Sequence, residues 1–221
     1  MKRPKEGGPL RYDRHTPEFS RVANLSDAVF AIAMTLLVLT LDTPDASTGE
    51  LAAALVDQLP QLVTFVLAFA LVANLWWQHH KLVALFQVVE PGMVGIILAL
   101  LGAVALVPFP TSLVGNAPTD RAAVLAFIAI FVVLSLLFLL LVWRARSASA
   151  FREAVSDRRF FLMLGQWVSG IVVLLIAALV TVWLPLVGLS ILALSIALGP
   201  IAAARGASGT HRLIDRHLPR E

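Results

Sequence analysis

Six long apolar runs set what this chain can fold into, at about 22–41, 59–82, 92–115, 121–143, 160–184 and 186–204. At a helical rise of about 1.5 Å per residue, such runs approach or exceed the roughly 30 Å hydrocarbon core of a bilayer. A soluble domain of 221 residues could bury one core, but not a succession of runs like these. Only 14% of the residues are charged, against about 25% in soluble domains, so too little polar surface exists to cover them. In lipid, backbone groups must pair within their own segment, and the runs lack the alternation of membrane barrel strands. The expected fold class is an all-α membrane protein with six transmembrane helices. Pro44, Pro91, Pro118 and Pro185 fall in loops or first turns, where a missing N–H costs least. The boundary at "WLPLVG" (183–188) is either a turn between two spans or a kink in one long helix, and the turn is favoured.

The basic residues give an orientation. Lys2, Arg3, Lys5, Arg11, Arg14 and Arg21 precede or open the first run, and Lys81 closes the second. Arg144, Arg146, Arg152, Arg158 and Arg159 lie between the fourth and fifth, and Arg205, Arg212, Arg216 and Arg220 follow the sixth. With six spans all of these share one side, and only Arg121 lies opposite. The expected organisation is a cytoplasmic tail over 1–20, a membrane domain over 21–204 and a second cytoplasmic tail over 205–221, in the plasma membrane. The polar, basic start does not read as a cleaved secretory signal. Cysteine is absent, which leaves the redox compartment open. The net charge of +3 follows the loops and forms no nucleic-acid patch.

Within "RVANLSDAVFAIAMTLLVLTL" (21–41), the clean part from Ala28 to Leu41 would rise only about 21 Å. A spanning helix must therefore take in Asn24, Ser26 and Asp27. A cap at Ser26 or Asp27 is the alternative, but it leaves the helix short. Asp27 is expected in an ion-pair or hydrogen-bond cluster near the inner end, because a charge inside a span calls for a partner. Arg21, six residues away, lies on another face and is expected to pair across helices. The end of the second run, "LWWQHHKL" (75–82), reads either as an interfacial belt or as the source of that partner, from Trp76, His79 or His80. Adjacent histidines point about 100° apart, which disfavours a shared metal.

Ile32, Leu36 and Leu39 form one stripe with Thr35 beside it. It is either ordinary packing or, in a symmetric assembly, a set of apolar constrictions with hydroxyls between them. The loop "DTPDASTGELAAALVDQ" (42–58) carries Asp42, Asp45, Glu50 and Asp57 and no base. It is a solvated loop or a cation-gathering vestibule, with a short helix near 51–58. The lone Tyr12 rules out a TVGYG filter, and no nucleotide, zinc-protease or serine-hydrolase motif occurs.

Arg21-Val-Ala-Asn-Leu25-Ser26-Asp27 resembles the signature of the transmembrane protein 175 family of potassium channels: arginine, three variable residues, then Phe-Ser-Asp. Leu25 stands where the signature has phenylalanine. "NLWWQHHKLVALFQ" (74–87) and "LVPFPTSLVG" (106–115) resemble the family's second- and third-helix endings. The resemblance implies a homotetrameric, potassium-selective channel whose first helices line the pore. It further implies an apolar constriction at Ile32, with Thr35, Leu36 and Leu39 on the same face, and a stabilising role for Arg21, Ser26 and Asp27. Neither enzyme activity nor a cofactor or resident metal is expected, only permeating potassium. The rivals are a small secondary transporter coupled through Asp27 and His79 or His80, and a non-conducting membrane scaffold.

Overall fold

The computed structural model describes residues 10–44, 49–152 and 155–195. The expected sixth run beyond residue 195 and the tail over 205–221 lie outside the described residues. Helix α1, Pro17–Leu36, starts earlier than hydropathy suggests. Thr16 caps it by accepting the Phe19 N–H, Pro17 fills a first-turn position and Glu18 complements the positive helix end. Asn24, Ser26 and Asp27 are therefore interior to the helix, and the cap alternative is corrected. A 3₁₀ turn, Leu37–Thr40, extends the rod to 24 residues.

Helix α2, Leu51–Asp57, occupies the expected short helical stretch and leads almost directly into α3, Leu59–Ala84. The third run is not one continuous helix. It divides into α4, Pro91–Ala105, and α5, Pro108–Asn116. Pro108 has no N–H to give the Val104 carbonyl, and the Val107 N–H takes it instead at 3.1 Å. Helices α6, Arg121–Ser147, and α7, Asp157–Thr181, follow, capped by the side chains of Asp120 and Ser156.

After Thr181 the chain doubles back into α8, Pro185–Ser195. In one continuous helix Ala177 and Gly188 would stand about 16 Å apart. Here a β-carbon at Gly188 would overlap Thr181 Oγ1 and lie 3.0 Å from the Ala177 carbonyl. The turn is correct, and glycine permits its close approach.

Helix α6 is the hub, packing on α4, α5 and α7. Its buried stripe of Phe127, Phe131, Leu134, Phe138 and Leu141 recurs at helical spacing. Phe138 stacks flat on Trp167 of α7 at 4.3 Å between centroids.

One end of the bundle is tied by the chain ahead of α1. Strand β1, Tyr12–Asp13, pairs antiparallel with β2, Val88–Val89. Arg14 Nη1 donates to the Ala84 carbonyl at 2.7 Å, capping the C-terminus of α3. Arg11 donates to the Ala148 carbonyl, and the Arg152 N–H to Leu85 at 3.0 Å. The basic segments before α1 and between α6 and α7 therefore meet the C-terminal end of α3 at the same end of the bundle, here called the inner end.

Candidate functional site

Helix α1 has two faces. Phe19, Ser26, Phe30, Ala33, Leu37 and Thr40 are buried against the rest of the protomer. The opposite face carries Ile32, Leu36 and Leu39, exposed by 57, 40 and 74%, together with exposed Thr35. The predicted stripe is thus absent from the protomer's own core. Thr35 donates its hydroxyl hydrogen to the Ile32 carbonyl at 2.8 Å, which leaves both lone pairs of its oxygen for a ligand.

The inner half of this helix is clamped to α3. Trp76 Nε1 donates to Asp27 Oδ1 at 2.9 Å, so the expected partner is the indole. The depths agree: Asp27 lies about 15 Å into α1 and Trp76 about 12 Å from the end of the antiparallel α3. Buried Ser26 donates to the Val22 carbonyl at 2.9 Å, within its own helix. The Arg21 side chain makes no ion pair or hydrogen bond among the described residues, so its expected cross-helix partner is not found within the protomer.

The two histidines diverge. His80 stacks on Trp77 with a 9° interplanar angle, and Lys81 Nζ lies 5.5 Å from the Trp77 centroid, forming an exposed belt. His79 is buried between Phe30, 5.5 Å away, and Phe138, 6.0 Å away, and its Nε2 has no hydrogen-bond partner. A cavity of about 170 Å³ separates Arg14, Ala23, Asp27, His79 and His80. Among the described residues no group of three or more metal-ligating side chains is assembled.

Three polar anchors were not foreseen from the sequence. Gln61 Nε2 donates to Asp42 Oδ2 at 2.8 Å and to Asn116 Oδ1 at 2.7 Å. Gln58 donates to the Asp42 carbonyl at 2.7 Å. This latch joins the outer ends of α1, α3 and α5, and it engages one carboxylate of the acidic loop; Asp45 lies outside the described residues. At the inner end, buried Glu90 pairs with Arg144, whose guanidinium lies where a side chain on Gly92 would crowd it. The third anchor is Arg14. A buried glutamate next to a proline-glycine pair was the available signal for the second, since such a charge requires a partner.

These features define a multi-pass helical membrane protein, with five helices among the described residues long and apolar enough to cross a bilayer. Residues 21–108 match the family model described as the endosomal/lysosomal potassium channel TMEM175. The chain is 34% identical over 131 residues to a potassium channel of Streptomyces collinus, a match covering 57% of this chain and 64% of that protein. It is 31% identical over 150 residues to a potassium channel of Chamaesiphon minutus, covering 64% of this chain and 72% of that one. The crystal structure of a lysosomal potassium-selective channel TMEM175 homologue from Chamaesiphon minutus superposes with a TM-score of 0.73 at 26% identity, over 83% of this chain and 98% of that chain. The chain belongs to the TMEM175 family.

Proposed function

We propose that this chain is one subunit of a potassium-selective cation channel, conducting passively through a central pore bounded by the α1 helices of four copies. Each subunit has six membrane helices, both termini are cytoplasmic, and the assembly resides in the plasma membrane. Potassium is the permeant, and the reading includes no enzymatic chemistry and no cofactor. The observation that carries it is the division of α1, whose inward face is buried while Ile32, Thr35, Leu36 and Leu39 face out of the protomer. Around a symmetry axis these side chains form apolar rings that gate by dewetting, with hydroxyl oxygens between them for a partly dehydrated ion. Asp27 with Trp76, and His79 packed against Phe30, hold the helix from the inner end. The Asp27–Trp76 bond supports a clamp there rather than the proton coupling of a transporter.

The test is potassium flux and single-channel recording from reconstituted protein. Conductance far above carrier turnover, without stoichiometric proton movement, is expected; proton-coupled flux at carrier rates would establish the transporter instead, and no flux the scaffold. Ile32→Asn places an amide in the apolar ring. It is expected to lower potassium-over-sodium discrimination about tenfold, or roughly 1.4 kcal/mol. Unchanged selectivity and conductance would remove Ile32 from the pore.

A further inference from the structure

Between α3, α6, α7 and α8 lies a cavity of about 420 Å³ that the proposed permeation path does not use. Three helices bring polar side chains to it at one depth. Asn74, Ser135 and Gln166 stand about 15, 18 and 14 Å from the inner ends of α3, α6 and α7. Gln166 Nε2 donates to Gln78 Oε1 at 3.1 Å, which leaves the other half of each amide free.

Ser135 is the informative residue. The other buried hydroxyls among the described residues, Ser26, Thr40, Thr64, Thr111 and Thr181, each donate to a carbonyl three or four residues back. Ser135 is only 7% exposed yet its hydroxyl makes no hydrogen bond among the described residues, and neither does the side chain of Asn74, an exposed residue that also lines the cavity. Within a bilayer such groups are costly unless something occupies the space they face.

The lining restricts the occupant. It contains no ionisable residue, so a charged ligand would be desolvated with no counter-charge. Water alone suits only part of it, because the walls contributed by Leu71, Phe131 and Leu174 offer no hydrogen bonds and a buried water needs two to four. A cavity of this volume, mostly apolar with a few convergent polar groups, has the character of a small-molecule site. We propose that it binds an uncharged amphiphile from the bilayer, its hydroxyl or ester head at Asn74, Ser135 and the Gln78–Gln166 pair and its hydrocarbon body along the apolar wall.

The experiment is photolabelling of the reconstituted full chain with a diazirine-bearing octanol and with the matching diazirine alkane, mapped by mass spectrometry. The alcohol is expected to label peptides containing Asn74, Ser135 and Gln166, and the alkane to label them weakly. A β-carbon at Gly170 meets no heavy atom within 4 Å, so Gly170→Phe fills the cavity and is expected to cut labelling about tenfold. Ser135→Ala, nearly isosteric, tests the head-group contact should the larger substitution disturb folding, and is expected to cut it severalfold. Equal labelling by both probes across outer-face residues such as Leu175, no labelling at the cavity, or insensitivity to Ser135→Ala in folded protein would overturn the proposal. The readout needs no conductance, so it fails or holds separately from the channel reading.

Discussion

Asp27 illustrates how one polar contact fixes a membrane helix. Its carboxylate accepts a single indole N–H at 2.9 Å, and the geometry permits that bond because the two residues lie at matching depth on antiparallel helices. Trp76→Phe keeps an aromatic ring while deleting the donor, and Asp27→Ala deletes the acceptor. In thermal melts of the detergent-solubilised assembly both are expected to destabilise, and the double variant to lose less than the sum, with a coupling of about 1 kcal/mol. Strict additivity would separate the two side chains energetically. The sequence made the need for a partner legible, because an acid in an apolar run stands out. It could not choose among Trp76, His79 and His80, since neighbours on a helix fan out by about 100° and only packing selects the one that meets α1. His79 was turned instead toward Phe30 and Phe138.

The same division holds for whole elements. The stripe of Ile32, Leu36 and Leu39 on α1 follows from apolar period and was readable, whereas the helix's start at Pro17 was not, because hydropathy begins at Val22 and the polar Thr-Pro-Glu signal ahead of it looked like tail. The break before Pro108 was likewise hidden inside an unbroken apolar run, although the proline that causes it was in plain sight. Long-range polar anchors leave almost no sequence trace. Gln61 is one glutamine in an apolar helix, yet its amide joins Asp42 to Asn116. The outer end of α1 is a 3₁₀ turn, a weaker hydrogen-bonded form than the α-helix, so this latch is what restrains Leu39 and its neighbours. Gln61→Leu is expected to speed amide hydrogen exchange over residues 37–42 by about tenfold, equivalent to roughly 1.4 kcal/mol of local opening, while the inner half of α1 stays protected. Equal exchange in both proteins would show that the turn holds without the latch.

At the scale of the molecule, the packing gathers at one end the basic residues that the proposed six-span topology places on one side. Tyr12–Asp13, Val88–Val89 and the segment between α6 and α7 meet at one end, which collects Arg11, Arg14, Arg144, Arg146 and Arg152. The reversal at Gly188 sends α8 back toward that end, and the apolar run over 186–204 is long enough to reach it. Six spans then put the arginines of the 205–221 tail with the others, whereas five would strand them on the side that holds Arg121 alone. Because the chain has no cysteine, single cysteines report on sidedness without background. His15→Cys, Thr119→Cys and Ser208→Cys, expressed in intact cells and treated with a membrane-impermeant maleimide, make the comparison. Thr119→Cys is expected to label from outside, and His15→Cys and Ser208→Cys only after the membrane is opened. If Ser208→Cys labels with Thr119→Cys, the last crossing is absent and the tail lies outside. If His15→Cys labels from outside, the whole orientation is inverted, and the inner clamp at Asp27 would face the exterior.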